Sequence, residues 1–429
     1  MTKFSLTLKL KQHTPMIHFQ HDQSGATLRA TELKPKLDKY LKTKYPDMKS
    51  EEKGNFDYKV KIKAFHQPDN AEKMNKYPLF FGNMGVPNQI SVSEYKRYLD
   101  YSGKHRNIIE NAFIFSHDIY TLKRELQKYQ KEQLRDILIS YNLIPEKRLV
   151  YSNSLIVLDI FSFKHKILEA IENSFADFLL QTNFGTRQSK GFGSFYIDKS
   201  CDKYYKKPDL KYKFTVNSNN YKDVFSKIEL FYNTLRSGIN KIDFKSRKSI
   251  FYFKSLMFLY AKSKGIQWEK KSIKEKFFNK ELDMQKGKHK APDILTFSSK
   301  NKKLMKDLLG LSTSEQWSFP YRDSISKEHI NVERFQSPLF FKPIMNQKNG
   351  YDVFFYGKDV DSNMLGESFT IKNKYGKTLQ ISTPSSFDIN DFLNFAFKVD
   401  LRKHVHTNFY KVKEFIEIEK IYNEIKSNI

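Results

Sequence analysis

Apolar and polar residues alternate at the start of the chain, and this alternation predicts a strand. Every second residue over residues 4–10 is apolar: Phe4, Leu6, Leu8 and Leu10. Side chains two positions apart in a strand point to the same face. We therefore expect one face of this strand to be buried and the other, which carries Lys9 and Lys11, to be polar.

A helical spacing of apolar residues follows over residues 27–41, at Ala30, Leu33, Leu37 and Leu41. Thr27 is a suitable N-cap, because its hydroxyl can accept a hydrogen bond from a free backbone amide. Pro35 lacks a backbone N–H, so we expect it either to kink this helix or to restart it.

Strand and helix patterns continue through the first half of the chain. They predict a strand at 56–65, a loop-rich insertion at 66–110, a helix at 122–138, a β-rich run at 149–163, a helix at 167–180, and a strand, a glycine loop and a strand at 181–197. Tyr58, Val60 and Ile62 share one face of the strand at 56–65. This order of strands and helices is that of a ferredoxin-like unit ending near Asp198.

The second half follows a basic linker at 201–212. Helices are predicted at 221–235, 249–262, 389–399 and 410–425. A strand at 335–344 is expected to pair with 351–356 through a turn at 346–350, with Pro338 at a sheet edge or a strand start. The patterns predict the α+β class, and 429 residues favour two domains, at 1–200 and 201–429.

The net charge is the property of the composition that says most about the expected function. The chain has 75 Lys and Arg against 48 Asp and Glu, which gives a formal net charge of +27. A surplus of this size repels itself unless a polyanion neutralises it, so nucleic acid is the expected partner. The alternative is a compositional bias towards Lys, Asn, Ile, Phe and Tyr.

The cysteine content and the hydropathy of the chain restrict the kinds of site and the cellular compartment that we expect. Cys201 is the one cysteine, which excludes a disulfide within the chain and a cysteine-based zinc site. Neither a signal peptide nor a membrane span is apparent. We expect a cytoplasmic protein with no membrane association, no cofactor and no metal. The lysine-rich stretches 270–276 and 286–290 are expected to be solvated faces.

The glycine loop at residues 184–195 is the most distinctive local pattern. Three of the 16 glycines, Gly185, Gly191 and Gly193, fall within nine positions, together with Arg187 and Lys190. Backbone amides and cations in such a loop can bind a phosphate. Phe192 can stack on a base or anchor the loop in the core. A plain hairpin is the alternative, and neither a Walker motif nor a dinucleotide motif is present.

Three stretches resemble the RAMP superfamily of CRISPR-associated proteins. The first strand leads into HTP at residues 13–15, which is similar to the family's strand followed by T-P. SGATLRA at residues 24–30 resembles the turn into the family's first helix. GTRQSKGFGS at residues 185–194 resembles G-x-R-x-x-[RK]-G-F-G-S, as in the first RAMP subunit of type III-B (Cmr) complexes. Ser337-Pro338-Leu339 is similar to a strand element of the family's second domain. Ala30 departs from the family's glycine.

The resemblance implies two RRM-like ferredoxin domains with helical insertions, the second helix-rich and degenerate. It implies a non-catalytic subunit of a ribonucleoprotein that acts in antiviral defence. Its partners would be other RAMP subunits, the CRISPR RNA towards its 3′ end, and the target RNA. The implied RNA-binding residues are Gly25, Arg29, Lys34, Lys36, Gly185, Arg187, Lys190, Gly191, Phe192 and Gly193. A helix N-terminus favours phosphate, which agrees with Arg29, Lys34 and Lys36 at the start of the first helix.

Histidines near the N-terminus leave a catalytic alternative open. His13, His18 and His21 lie within nine residues, and some relatives that process CRISPR RNA use a histidine near this place. They can also contact ribose or have no special duty. His404 and His406 lack a third metal ligand in the sequence. The rival functions are thus a metal-independent CRISPR RNA-processing endoribonuclease and a general single-stranded RNA- or DNA-binding protein.

Overall fold

The computed structural model describes residues 4–17, 27–48, 56–64, 72–73, 148–243, 249–278, 297–317, 323–332 and 334–429. The predicted helix at 122–138 and nearly all of the predicted insertion at 66–110 lie outside these residues. The chain divides into two compact units. Unit 1 comprises Met1–Arg187 and Phe192–Lys206, and unit 2 comprises Gln188–Gly191 and Lys207–Ile429.

In the residues that the structure describes, unit 1 contains two antiparallel sheets and two helices. Its strands are β1 (Ser5–Gln12), β2 (Met16–Ile17), β3 (Lys59–Ala64), β4 (Glu72–Lys73), β5 (Arg148–Val150), β6 (Ile156–Phe161) and β7 (Phe195–Ile197). Its helices are α1 (Ala30–Lys44) and α2 (His165–Leu180). The larger sheet has the strand order β3-β6-β1-β7, and the smaller has the order β2-β5-β4.

Apolar and polar residues alternate in β1, and this alternation shows which face of the larger sheet packs into the core of unit 1. Leu6, Leu8 and Leu10 are buried, and in the antiparallel register Leu8 lies opposite Leu158 and Leu6 opposite Ile160 of β6. Helices α1 and α2 contact each other, and they also contact β3 and β1 respectively. The larger sheet therefore has one face covered by helices.

The predicted β-rich run at 149–163 divides into β5 and β6. Between them, the buried side chain of Gln12 binds the backbone in place of a neighbouring strand. Its Nε2 donates to the Val150 carbonyl at 2.8 Å, and its Oε1 accepts from the Ser152 amide at 2.9 Å. A side chain 138 residues away thus interrupts a run that looks continuous in the sequence.

Unit 2 contains a three-stranded sheet, a four-stranded sheet and helices. Its strands are β8 (Tyr212–Val216), β9 (Ile239–Ile242), β10 (Ser249–Phe253), β11 (Gln267–Trp268), β12 (Lys302–Lys303), β13 (Ser314–Trp317), β14 (Asp323–Glu328), β15 (Leu339–Met345), β16 (Tyr351–Gly357), β17 (Ser368–Asn373) and β18 (Thr378–Ser382). Its helices are α3 (Tyr221–Arg236), α4 (Leu256–Ser263), α5 (Glu269–Phe277), α6 (Ile389–Lys398), α7 (Leu401–His404) and α8 (Lys413–Ser427).

The strand order of the three-stranded sheet is β15-β16-β8, and α3 and α8 contact both β8 and each other. The four-stranded sheet has the order β13-β14-β17-β18, and β9 pairs with β10 and β11 with β12. Only the β11–β12 pair is parallel among the described strands. The protein is therefore α+β, with helices and mainly antiparallel sheets.

The predicted hairpin in the second half is confirmed. Met345 lies opposite Tyr351 across the turn at 346–350, and Pro338 directly precedes β15, which is an edge strand.

The predicted helix at 249–262 is wrong in its first part. Residues Ser249–Phe253 form β10 and pair with β9, and α4 begins only after Ser255, whose hydroxyl accepts from the Phe258 amide.

Among the described residues, none of the helices combines the length and the apolar character that a bilayer crossing needs.

Candidate nucleic-acid interface

Motif residues far apart in the sequence lie side by side in unit 1. The Pro15 carbonyl accepts a hydrogen bond from the Gly193 amide at 2.8 Å. The Ile17 carbonyl accepts one from the Thr186 amide at 3.0 Å. The strand that follows the HTP motif therefore runs along the glycine loop.

Helix α1 meets the same loop through one carboxylate. Glu32 Oε1 accepts from the Gly185 amide at 2.8 Å and from Lys36 Nζ at 2.8 Å. Lys36 Nζ also donates to the Asn183 carbonyl at 3.0 Å. Burial lowers the pKa of Lys36, and this effect outweighs the opposite influence of Glu32. The start of the first helix and the glycine loop, predicted separately as RNA contacts, thus form one region.

The glycines of the loop are required by close packing. Gly193 has a φ of +66°, and a Cβ there would lie 1.9 Å from the Phe184 carbonyl oxygen. Gly185 has a φ of +79°, and a Cβ there would lie 2.5 Å from the Ile17 carbonyl oxygen. Only glycine adopts this backbone without strain and leaves this space. Phe192 has 0% exposure, so its position favours the anchoring alternative over base stacking.

Arg187 is a partly buried cation of the loop. Its backbone has a φ of +58°, which is uncommon for a residue with a side chain. Burial lowers the pKa of Arg187 to about 10. A phosphate next to the guanidinium would offset that cost, because an opposite charge favours the ionised form.

Lys190 and Gly191 belong to unit 2 and contact other residues of that unit. Lys190 Nζ lies 3.1 Å from the centroid of the Tyr232 ring, a cation–π contact. Burial raises the pKa of Tyr232, but Lys190 and Arg236 lower it by more. A Cβ on Gly191 would lie 2.8 Å from Pro343 Cγ. The charge of Lys190 therefore stabilises the packing of this unit.

Lys34 and Arg29 lie at different places on α1. Lys34 Nζ donates to Asp38 Oδ2 at 3.1 Å and to the Phe56 carbonyl at 2.8 Å. Residues two apart on a helix point about 200° apart, so Lys34 faces away from the glycine loop that Lys36 contacts. Arg29, rather than Thr27, is the N-cap residue of α1, and its side chain is half-buried.

The histidines of the catalytic alternative are placed only in part. His13 has 5% exposure, and its backbone amide donates to the Ser194 carbonyl at 2.8 Å. His18, His21 and Gly25 lie outside the described residues. His404 is buried against Phe253, and His406 caps a short turn by accepting from the Asn408 amide. The described part of the chain contains no cluster of three or more potential metal ligands.

The open face of the larger sheet in unit 1 is a feature that sequence reasoning missed. Its exposed lysines are Lys9, Lys59, Lys61 and Lys63, and we call this surface the basic sheet face. In the antiparallel register, Lys63 and Lys9 flank Val157, and Lys61 and Thr7 flank Asp159. Neighbouring strands lie about 4.8 Å apart, so these ammonium groups form a compact positive surface.

One carboxylate lies among these lysines. Asp159 accepts from Lys63 Nζ at 2.6 Å and from Thr7 Oγ1 at 2.8 Å, and these hydrogen bonds lower its pKa. Two aromatic rings lie at one end of the face. Phe161 is 37% exposed and Phe163 is 76% exposed, with ring centroids 4.8 Å apart. The strand predicted at 56–65 contained the signal for this surface, because Lys59, Lys61 and Lys63 alternate with its apolar residues.

Comparisons with known proteins identify both halves of the chain. The family model described as the Cmr1 N-terminal domain matches residues 3–143 and 91–239. The model described as the Cmr1 C-terminal domain matches residues 252–426. Neither a curated protein nor a solved structure matches the chain.

Proposed function

We propose that this chain, which belongs to the Cmr1 family, is a non-catalytic subunit that binds RNA in a type III-B CRISPR effector. Family membership by itself makes the chain a RAMP protein and a component of the multi-subunit Cmr complex. The proposal adds the RNA contact and the surface that makes it. The single observation that carries this addition is the basic sheet face.

We propose that both units are ferredoxin-like RAMP domains. In unit 1 the order β1, α1, β3, β6, α2, β7 with the sheet order β7-β1-β6-β3 supports this. In unit 2 the order β8, α3, β15, β16, α8 with the sheet order β15-β16-β8 supports a degenerate version, in which the described strands supply three of the four positions. The proposed domains are those expected at 1–200 and 201–429, except that Gln188–Gly191 belong to unit 2 and residues 201–206 to unit 1.

The basic sheet face has the chemistry that single-stranded RNA requires. Lysines follow a phosphate backbone, and an exposed aromatic ring stacks on a base. Lys9, Lys59 and Lys61 supply the charge, and Phe161 supplies the ring. In the effector, the chain would contact the CRISPR RNA towards its 3′ end and the target RNA in antiviral defence. Pairing between the two RNAs would read the sequence.

The region around the glycine loop is a second part of the proposed contact. Arg187 is its best candidate for a phosphate ligand, since it is a partly buried cation whose charge an anion would stabilise. The glycines and Phe192 hold the loop in shape, and Lys36 Nζ of α1 lies 4.8 Å from the centroid of the Phe184 ring at the start of the loop. We do not assign Lys34 to this contact, because it faces Asp38 and Phe56.

The test compares two triple variants of unit 1. Lys9→Gln, Lys59→Gln and Lys61→Gln remove three charges from the basic sheet face. The matched control, Lys39→Gln, Lys42→Gln and Lys166→Gln, removes three exposed charges from α1 and α2.

Affinity for a single-stranded RNA is measured by fluorescence anisotropy between about 50 and 200 mM salt, the range over which the salt dependence is resolved. The sheet variant is expected to lower the slope of log affinity against log salt by about 2, because each lost phosphate contact removes about 0.7. The control is expected to retain nearly all of the slope. Equal decreases of this slope in the two variants would contradict the proposal, because RNA binding would then depend on the total charge and not on the basic sheet face.

The same samples test the catalytic alternative. RNA that stays intact without metal over the binding assay agrees with a non-catalytic subunit. Cleavage that disappears in a His13→Ala variant would instead favour the endoribonuclease.

A further inference from the structure

Unit 2 contains a cavity of about 580 Å³ between the β9–β10 hairpin and helices α4 and α5. Cavities of roughly 300–1,000 Å³ are typical of small-molecule sites. The residues that matter for its chemistry are Tyr252, Lys254, Phe258, Trp268, Lys270 and Lys274. None of these residues belongs to the basic sheet face or to the glycine loop.

Positive charge converges on this cavity. Lys254, Lys270, Lys271 and Lys274 line it, with Glu275 as the one carboxylate among its lining residues. Three of the lysines are held by contacts of their own, and one of these is the hydrogen bond that Lys271 Nζ donates to the Phe297 carbonyl at 3.2 Å. Lys270 Nζ donates to the Ser237 carbonyl at 2.7 Å, and Lys254 Nζ lies 3.6 Å from the centroid of the Phe258 ring. The ammonium groups are thus fixed in the wall of the cavity.

The pKa values of these lysines agree with their crowding. Burial, followed by repulsion from Lys274, Lys262 and Lys271, lowers the pKa of Lys254 to about 8. Burial lowers that of Lys270 to about 7. Cations confined in this way gain most from a bound anion, because it offsets both their desolvation and their mutual repulsion.

Aromatic rings line the cavity together with the lysines. Trp268 and Phe258 pack with their ring centroids 5.5 Å apart at 35°, and Tyr252 lines the same cavity. The flat face of a nucleobase can stack on such rings. An inorganic anion cannot stack and would gain nothing from them. Lysines and aromatic rings in one cavity match a ligand with a phosphate at one end and a base at the other.

We propose that this cavity binds a nucleoside phosphate. Lys254, Lys270 and Lys274 hold its phosphate, and the base stacks against Tyr252, which is more exposed than Trp268. The ligand is either a free nucleotide or a nucleotide at the end of an RNA strand, since both present the same groups. The site goes beyond the RNA contact proposed above and does not depend on it.

Trp268 reports directly on an occupant. The chain has two tryptophans, Trp268 and Trp317, so a Trp317→Phe variant leaves only the one that lines the cavity. Adenosine 5′-monophosphate is titrated into this variant, with adenosine and inorganic phosphate as parallel probes. The nucleotide is expected to change the fluorescence of Trp268 and to bind about tenfold or more tightly than adenosine, which lacks the charged group.

Two lysine variants give the matched comparison. Lys254→Gln with Lys274→Gln is expected to weaken nucleotide binding by about tenfold or more, through loss of charged hydrogen bonds. Lys411→Gln with Lys420→Gln, which removes two exposed charges elsewhere in unit 2, is expected to leave binding unchanged. Equal affinities in the two variants would overturn the site.

Calorimetry on the unmodified chain covers the case in which a lysine variant fails to fold. No heat of binding and no fluorescence change with millimolar adenosine 5′-monophosphate would also overturn the proposal.

A short RNA with a 3′-phosphate, and the same RNA with a 3′-hydroxyl, distinguish the two sources of ligand. Competition by the phosphorylated RNA against the nucleotide assigns the cavity to a strand end, and absence of competition by either RNA assigns it to free nucleotide. The triple variant of the basic sheet face is expected to bind the nucleotide normally. Failure of the cavity and failure of the RNA surface can therefore be told apart.

Discussion

The glycine loop and the basic sheet face both carry cations, but they hold them in opposite ways. In the loop, Lys190 lies on the Tyr232 ring and Arg187 is partly buried, so that the protein shields both charges from solvent. On the sheet, Lys9, Lys59 and Lys61 extend from strands into solvent. The loop has a distinctive sequence, whereas the sheet face has a plain alternation.

This difference separates two kinds of sequence signal. Glycines at fixed spacing mark a place where the backbone must turn tightly, as at Gly193 against Phe184. A surface for a polyanion needs only charge and exposure, which any half-buried strand can supply on its outer face. A distinctive motif therefore does not by itself identify the residues that touch a ligand.

Gly193→Ala is expected to have the largest effect, on stability. Its Cβ would meet the Phe184 carbonyl oxygen at 1.9 Å, and its φ of +66° adds strain, so we expect a loss of about 3 kcal/mol or more in unfolding free energy. The control is Gly376→Ala, where φ is +77° but nothing lies within 4 Å of the Cβ. That change is expected to cost about 1–2 kcal/mol. Equal losses in denaturant titrations would contradict the close-packing role of the loop.

Lys190→Met is expected to lower the unfolding free energy by about 2 kcal/mol, the size of a desolvated cation–π contact. The variant retains an apolar side chain of similar length against Tyr232, so the loss reports on the charge. The salt slope of RNA binding is expected to stay unchanged. A changed slope with unchanged stability would place Lys190 on the RNA instead.

Arg187→Gln tests the one loop cation that we assign to RNA. The salt slope is expected to fall by about 0.7, which corresponds to a single phosphate contact on a single strand. This is a third of the change expected from the sheet triple variant. An unchanged slope would confine the RNA contact to the basic sheet face.

The last comparison is a pH dependence of stability that comes from a cation inside unit 2. Burial and repulsion from Lys306 lower the pKa of Lys270 to about 7 from 10.5, while Glu315 and Glu269 act in the opposite direction. The unfolded chain therefore binds more protons between these values, and stability rises with pH by up to about 1.4 kcal/mol per unit.

Lys270→Met is expected to make this rise less steep in denaturant titrations between pH 7 and 10, and the lowered pKa of Lys254 accounts for part of what is left. Lys59→Met, on the exposed sheet, serves as the comparison. A rise as steep in Lys270→Met as in the unmodified chain would assign the effect to another group.

Local periodicity predicted much of the fold. The alternation in β1, the helical spacing in α2 and the hairpin of β15 and β16 follow from neighbours in sequence. The helix predicted at 249–262 was wrong at its start because Phe251 and Phe253 follow a period of two and pair with β9. Apolar runs of this length are ambiguous until the partner strand is known.

The candidate sites were harder to predict, because their contacts join distant residues. The hydrogen bond from the Gly185 amide to Glu32 spans 153 positions, and nothing local indicates it. The stretch 270–276 was expected to be solvated, yet Lys270 and Lys274 line a cavity while Lys276 is exposed. Only the packing of α5 against its neighbours distinguishes these lysines.

The assignment of Gln188–Gly191 to unit 2 affects any attempt to divide the chain. A fragment that starts at residue 207 would be made without Lys190, and Tyr232 would lose its cation. It would also lack Gly191, which packs beside Pro343 of β15. A recombinant second half is therefore expected to be less soluble than the same residues in the intact polypeptide. A synthetic peptide of residues 184–195 would supply the missing contacts of Lys190 and Gly191.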